Sequence, residues 1–275
     1  MFDKIQHIGY LVADLDAAVD WFSRNFGSEN AGGSTLGSGV AVPSGGRNAF
    51  VHFGQIEAEL IEPNDKTGLP ADTLVMHHVG YVVSDISSAA RELQGKGLKF
   101  ASPAPNTNVM GQQVLYFDPA TTHGFLIHLT QQPQQPNTVG IGKGVGIDEI
   151  VHAGYLVADV EEAVAWYEKN FGGVAMGGIG ASRRGARNAY VNFGQVQVEL
   201  IEALDPDELG GQRYVMDHAG YVVSDITAAI AHCRSRGFQF AGDEANTNRI
   251  GQQLLYFDPA TTMGTRMHLT QLAAD

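Results

Sequence analysis

Residues 7–27 read HIGYLVADLDAAVDWFSRNFG, and residues 152–172 read HAGYLVADVEEAVAWYEKNFG. Both copies open on an alternating run rich in Ile, Tyr, Leu and Val, the pattern of a half-buried strand over residues 5–12 of the first copy. Asp14 then supplies a helix cap, and Leu15, Ala18, Val19 and Phe22 recur at helical spacing until Gly27 stops the helix. A strand followed at once by an amphipathic helix, stated twice in one chain, predicts a duplicated αβ protein.

The duplication extends over most of the chain. RNAFVHFGQIEAELIE at 47–62 matches RNAYVNFGQVQVELIE at 187–202, VMHHVGYVVSDI at 75–86 matches VMDHAGYVVSDI at 215–226, and NTNVMGQQVLYFDPATT at 106–122 matches NTNRIGQQLLYFDPATT at 246–262. The offset falls from 145 to 140, so the second copy is five residues shorter between the counterparts of Phe26 and Arg47, in a Gly- and Ser-rich stretch that reads as a loop. Each half carries a weaker repeat of its own: HIGYLVADLDAAVDWF resembles HVGYVVSDISSAARELQ at 78–94. The chain is therefore expected to contain four β-α-β-β-β modules. In the second of them we expect a strand at 77–83, a cap at Ser84 or Asp85, a helix at 86–94 ended by Gly95 or Gly97, and strands near 98–101, 112–117 and 124–130. The Gln-, Pro- and Gly-rich run QQPQQPNTVGIGKGVG marks a linker. The expected domains are 1–131 and 148–275, with a linker at 132–147.

Four side chains recur in order in the two halves: His7, Glu59, His78 and His128, then His152, Glu199, His218 and His268. Glu to His spans 19 residues in both, and His to His spans 50 in both. The chain has ten histidines, and the four outside these sets (His52, His77, His123 and His232) are replaced in the other copy by Asn192, Asp217, Met263 and Glu92. Only the proposed ligands recur. Imidazoles with one carboxylate suit Zn, Fe, Ni, Co or Mn better than Ca or Mg, and a closed structural zinc site would normally bring thiolates. We expect two such ions per chain, each with room for two substrate oxygens. A glycine two positions after the histidine recurs four times (Gly9, Gly80, Gly154, Gly220) and is expected to open space for metal or ligand beside each imidazole. On the last strand Leu126, His128 and Thr130 share one face, with Phe125, Ile127 and Leu129 turned to the core; alternation alone leaves the face of Glu59 open among Glu57, Glu59 and Glu62.

Composition narrows the function classes. The net charge is −13, which argues against nucleic acid or an anionic membrane as partner. Arg183, Arg184 and Arg187 form a local basic cluster that reads as a solvated loop. One cysteine, Cys233, excludes an intrachain disulfide, and the chain shows no signal-peptide pattern and no run long enough to span a bilayer. A cytoplasmic protein with a small-molecule substrate is expected, and a homodimer is compatible with the pattern.

The segments HIGYLVADLDAAVDWFSRNFG, FVHFGQIEAELIEP, MHHVGYVVSDISSAARELQGKG and VLYFDPATTHGFLIHLTQ, and their second copies, resemble the vicinal oxygen chelate superfamily, which includes glyoxalase I, methylmalonyl-CoA epimerase, extradiol catechol dioxygenases and bleomycin- or fosfomycin-resistance proteins. The resemblance covers nearly the whole chain and is nearest to the epimerase and to bacterial glyoxalase I. It implies an α+β fold in which four βαβββ modules pair into two domains, each with a curved mixed β-sheet forming a cup around a metal. It places the ligands at His7, Glu59, His78 and position 128, and again at His152, Glu199, His218 and position 268, so it selects Glu59 over Glu57 and Glu62. One departure stands out. The last ligand in the epimerase and glyoxalase is a glutamate that also transfers protons, and here it is histidine in both copies. Extradiol dioxygenases likewise place a carboxylate there.

The resulting expectation is a divalent-metal-dependent enzyme that binds vicinal oxygens of a small carbonyl substrate and performs isomerisation, epimerisation or lyase chemistry through a metal-stabilised enolate, with Glu59 or Glu199 as base because each is the recurring carboxylate of its set. An Fe(II) ring-cleaving dioxygenase is the alternative, and a non-enzymatic binding or resistance protein the third. Whether a cup is built within one half or between halves is open. Expected substrate-binding groups are Asn106, Asn108 and Gln113 with Arg47, and Asn246, Asn248 and Gln253 with Arg187. Tyr10, Tyr81, Tyr116 and the two tryptophans read as core.

Overall fold

Asp14 accepts a hydrogen bond from the Ala17 backbone N–H at 3.0 Å, and Gly27 ends the helix at a left-handed φ of 67°, so the stretch that opens the chain folds as its residues dictate. The protein was analysed as a computed structural model that describes residues 1–182 and 185–273; Arg183 and Arg184 of the expected basic cluster lie outside them. The first half runs β1 (Phe2–Leu11), α1 (Leu15–Phe26), β2 (Glu29–Leu36), β3 (Gly46–Phe53), β4 (Ile56–Pro63), β5 (Val75–Val83), α2 (Ile86–Gly95), β6 (Asn106–Thr107), β7 (Gln113–Tyr116) and β8 (Leu126–Gln131). The second repeats it: β9 (Glu149–Val157), α3 (Val160–Phe171), β10 (Val174–Ala181), β11 (Arg187–Phe193), β12 (Val196–Glu202), β13 (Tyr214–Val222), α4 (Ile226–Ser235), β14 (Asn246–Thr247), β15 (Gln253–Tyr256) and β16 (Met267–Gln271).

One expected strand is reduced. Residues 98–101 contribute only an isolated bridge between Phe100 and Phe117. The following ASPAPN has prolines at 103 and 105, and proline cannot donate to a ladder, so pairing resumes only at the two-residue β6.

The strands of each half form one eight-stranded mixed sheet, ordered β2-β3-β4-β1-β5-β8-β7-β6 in the first and β10-β11-β12-β9-β13-β16-β15-β14 in the second. Each cup is thus assembled within one half, from its own two modules. The leading strands β1 and β5 lie antiparallel at the centre, each flanked by a parallel strand, β4 and β8. This register sets the site. Glu59, Gly9 and His78 line up across β4, β1 and β5; one step along, Glu57, His7, Gly80 and His128 line up across β4, β1, β5 and β8.

The opposite faces of the two sheets share one core with the helices. Ile8 and Tyr10 of β1 and Val12 just after it belong to it, as do Phe125, Ile127 and Leu129, the face assigned to the core from alternation. The Tyr10 and Tyr221 hydroxyls meet at 3.0 Å, and the Phe2 ring packs edge-on to Phe193 at 5.1 Å. The halves interlock where the Gln195 N–H donates to the Phe2 carbonyl, and the connecting segment joins the first sheet where the Gln55 N–H donates to the Ile147 carbonyl. The segment between the sheets is pinned rather than loose, since Gly54 bonds Lys143 and Val145 and Ile147 are buried. No helix among the described residues is long and apolar enough to cross a membrane.

Candidate metal centres

The glycines at 9 and 80 have a more specific role than leaving room for a ligand. A Cβ on Gly9 would lie 2.0 Å from Cε1 of His78, and one on Gly80 would lie 2.5 Å from Cε1 of His128; Gly154 and Gly220 stand in the same relation to His218 and His268. Each glycine seats the imidazole of the neighbouring strand. The rings therefore lean across the sheet and their Nε2 atoms converge. His7 Nε2 lies 3.1 Å from His78 Nε2 and 3.3 Å from His128 Nε2, and Glu59 Oε2 lies 3.4 Å from the first and 3.2 Å from the second. In the second half His152 Nε2 lies 3.1 Å from both His218 and His268 Nε2, and Glu199 Oε2 lies 3.7 Å from His152 Nε2 and 3.2 Å from His218 Nε2. Donors bound at about 2.0–2.2 Å to one ion stand about 3.0–3.5 Å from their neighbours, so the histidine nitrogens of both clusters match a shared cation. All eight side chains are buried.

The other ring nitrogens are held, as ligating imidazoles require. His128 Nδ1 meets Thr130 Oγ1 at 3.0 Å, and His268 Nδ1 meets Thr270 Oγ1 at 2.8 Å. The remaining holders differ between halves. His7 Nδ1 faces Glu57 at 3.2 Å, and Glu57 in turn holds His52 Nε2 at 2.8 Å; the counterpart of Glu57 is Gln197, 3.2 Å from His152 Nδ1. His78 Nδ1 faces His77 at 3.1 Å, whereas His218 Nδ1 faces Asp217 at 2.8 Å, with Arg266 bonded to Asp217. Each centre keeps one outer carboxylate, moved from the first histidine to the second.

That move relocates the proton in the metal-free chain. Burial pulls the His7 imidazole down, but Glu57 and Glu59 outweigh it and raise it to about 9. Burial and the His218 charge lower His152 to about 4, while burial of His218 is outweighed by Asp217 and Glu199, which raise it to about 9. Glu59 stays well below the carboxylate range because its histidine contacts outweigh burial, and burial keeps His128 and His268 neutral.

The first centre lies on the wall of a cavity of about 530 Å³, lined by His7, Glu59 and His128, by Asn48, Asn106 and Tyr116, and by apolar side chains. That volume suits a small organic ligand.

Three comparisons bear on this geometry. The family model described as Glyoxalase/Bleomycin resistance protein/Dioxygenase superfamily matches residues 6–116 and again 151–256. The chain belongs to this superfamily. Its members include metal-dependent glyoxalases, epimerases and dioxygenases. Among curated relatives, an ethylmalonyl-CoA/methylmalonyl-CoA epimerase of Cereibacter sphaeroides is 27% identical over 139 residues, covering 48% of this chain and 99% of the relative. The mitochondrial methylmalonyl-CoA epimerase of Mus musculus is 26% identical over 135 residues, 46% of this chain and 72% of the relative. Among solved structures, a variant of 4-hydroxymandelate synthase from Streptomyces coelicolor matches with a TM-score of 0.69 at 14% identity, covering 100% of this chain and 94% of that one. The Mn(II)-bound glyoxalase of Novosphingobium aromaticivorans matches with a TM-score of 0.67 at 12% identity, covering 99% and 83%. At these identities the structural likeness concerns the fold alone.

Within the superfamily fold, not every expected substrate-binding residue reaches a cup. Asn106 and Asn108 line the first cavity, although Asn108 Oδ1 also accepts from the Met110 and Gln112 N–H groups of a turn; Asn248 makes the same turn. Asn246 donates to the Leu254 carbonyl. Gln113 and Gln253 are exposed, whereas the buried neighbour Gln112 points its Nε2 at Glu57. Arg47 is turned away from the cavity, bonding Glu62 at 2.6 Å and Asp16 at 3.0 Å, and Arg187 likewise pairs with Glu202 and Glu161. Strand alternation explains the swap: with Arg47 outward, Asn48 faces in and donates to Glu59 at 2.6 Å, as Asn188 does to Glu199 at 2.7 Å. The sequence signal for Asn48 was its recurrence beside Arg47.

A protonated His7 and His218 must each lose a proton to ligate. Metal affinity is therefore expected to rise with pH until about 9, with protons released on binding. Calorimetry in two buffers of different ionisation enthalpy at pH 7.5 counts those protons; an affinity that is flat from pH 7 to 9 would contradict the assignment.

Proposed function

We propose that the chain is a divalent-metal-dependent enzyme that takes a small carbonyl substrate by two adjacent oxygens and moves a proton at the neighbouring carbon, as an epimerase or isomerase does. The observation that carries this reading is the convergence of three buried Nε2 atoms and one carboxylate beside a substrate-sized cavity that His7, Glu59 and His128 line. An ion held by His7, Glu59, His78 and His128 supplies Lewis acidity to those oxygens. Asn48 holds Glu59 by one carboxylate oxygen and leaves the other facing the histidines. Among the described residues lining the cavity Glu59 is the one carboxylate, so it is the group available to take the carbon-bound proton. Tyr116, packed 4.7 Å from the His128 ring, is held protonated by burial and the Glu59 charge and stands ready to donate to an oxygen.

The test is hydrogen exchange. Metal-loaded chain incubated in D2O with methylmalonyl-CoA and with simple 2-hydroxy-ketones is expected to introduce deuterium at the carbon next to the carbonyl. Absence of exchange across that panel, for Zn, Co, Mn, Ni and Fe(II) alike, overturns the proposal. A second reading is an Fe(II) oxygenase: the superfamily includes dioxygenases, and a cluster of imidazoles with one carboxylate suits iron. Oxygen consumption with catechols by the anaerobically Fe(II)-loaded chain, without deuterium exchange, would select it.

A further inference from the structure

The two cups keep the same ligands but not the same mouth. In the first, position 109 is valine, half exposed at the rim. Its counterpart in the second is Arg249. The Arg249 guanidinium lies 5.3 Å over the Tyr190 ring. One of its terminal nitrogens donates to the Met176 and Gly177 carbonyls at 3.2 and 3.1 Å, and the other donates to the Asn188 carbonyl at 3.1 Å. The side chain thus spans from the β14–β15 turn to β10 and β11. The wall is shaped to receive it: β10 bulges between Met176 and Gly180, and a Cβ on Gly180 would stand 3.0 Å from Arg249 Nε. Beneath it, Tyr190 replaces Phe50 and turns a hydroxyl towards Glu199 and Asn248. Residues 37–42, which line the first cavity, belong to the stretch between Leu36 and Arg47, whose counterpart in the second half is five residues shorter.

Resting on the metal-centre reading above, we propose that the cups have divided roles: the first takes substrate, and the second holds its ion behind an Arg249–Tyr190 plug that excludes organic ligands. Arg249 is the residue that sets this specificity. Three carbonyl acceptors and an aromatic face satisfy its guanidinium, so its role is to close the mouth rather than to wait for an anion.

The test uses the full chain loaded with Co(II) and titrated with 4-nitrocatechol, a chromophore with two adjacent oxygens. The expected result is two Co(II) but one catechol per chain. Arg249→Val, which copies the first cup, should raise the count to two, and His128→Ala should reduce it to zero. Because Arg249 is exposed, its removal should leave the fold intact, which circular dichroism checks. Two catechols on the unmodified chain, no second catechol with Arg249→Val, or a catechol retained by His128→Ala each overturns the proposal while leaving the metal centres standing. Failure to bind Co(II) overturns the metal reading and this one with it.

Discussion

Glu59→Gln is expected to slow proton exchange at the substrate carbon by about 10²–10⁴-fold, the contribution of a positioned general base. The substitution is chosen for what it keeps. A glutamine retains an oxygen to accept from Asn48 Nδ2 and nearly the same volume in a buried position. It loses the charge and the proton-accepting oxygen that faces His7 and His78 at 3.4 and 3.2 Å. His7, His78 and His128 remain, so the first centre should still bind metal, more weakly, and elemental analysis at saturating metal separates a lost base from a lost ion. A second consequence follows from the proton balance. Glu59 is one of two carboxylates that keep His7 protonated at about 9 in the metal-free chain. Its removal should lower that value and weaken the pH dependence of metal binding at the first centre. Unchanged exchange in a fully loaded variant would remove Glu59 from the chemistry and leave Tyr116 as the group to test.

The sequence could disclose the candidate ligands because each sits in a register that the fold repeats. Strand alternation carried His7, His78 and His128 to one face, and duplication separated them from His52 and His77, which did not recur. What alternation could not show was the lateral order of the strands. Glu57 and Glu59 share a face of β4, and only the pairing of Gly9 with Glu59 and of His7 with Glu57 sets one among the converging Nε2 atoms and the other behind His7. The same blindness hid His52 and His77. Failing to recur ruled them out as ligands, yet His52 holds Glu57 and His77 touches His78. A difference between copies next to a shared ligand was the available signal: Glu57 becomes Gln197 as His77 becomes Asp217, so a carboxylate is moved rather than lost. Arg47 misled for a simpler reason. Recurrence shows that a residue is retained in both copies, and an ion pair anchoring helix to sheet can be retained as readily as a contact to substrate. The strand expected at 98–101 failed because the apolar spacing of Leu98 and Phe100 reports burial, while the prolines that follow deny the backbone its ladder.

Gly9→Ala should lower the metal content from two ions per chain to one. The added methyl would lie 2.0, 2.2 and 2.6 Å from Cε1, Nδ1 and Nε2 of His78, all three within one fully buried ring. No real Cβ tolerates such contacts, and the ring has no free direction: His77 lies against its Nδ1 and Tyr116 packs 5.6 Å from its centroid. His78 must therefore leave the convergent position or push β1 from β5. Overpacking of this kind costs about 1–3 kcal/mol, which lowers the melting temperature by several degrees in a chain of this size. The loss should fall on the first centre because Gly9 pairs with His78 and not with any residue of the second sheet. A matched control is Gly95→Ala at the end of α2, where a new Cβ meets nothing within 4 Å and should leave both ions bound while adding up to about 1 kcal/mol of helix stability. If Gly9→Ala retained two ions and an unchanged melting temperature, the imidazole of His78 would not be seated against Gly9, and the convergence of Nε2 atoms on which the metal centre rests would have to be abandoned.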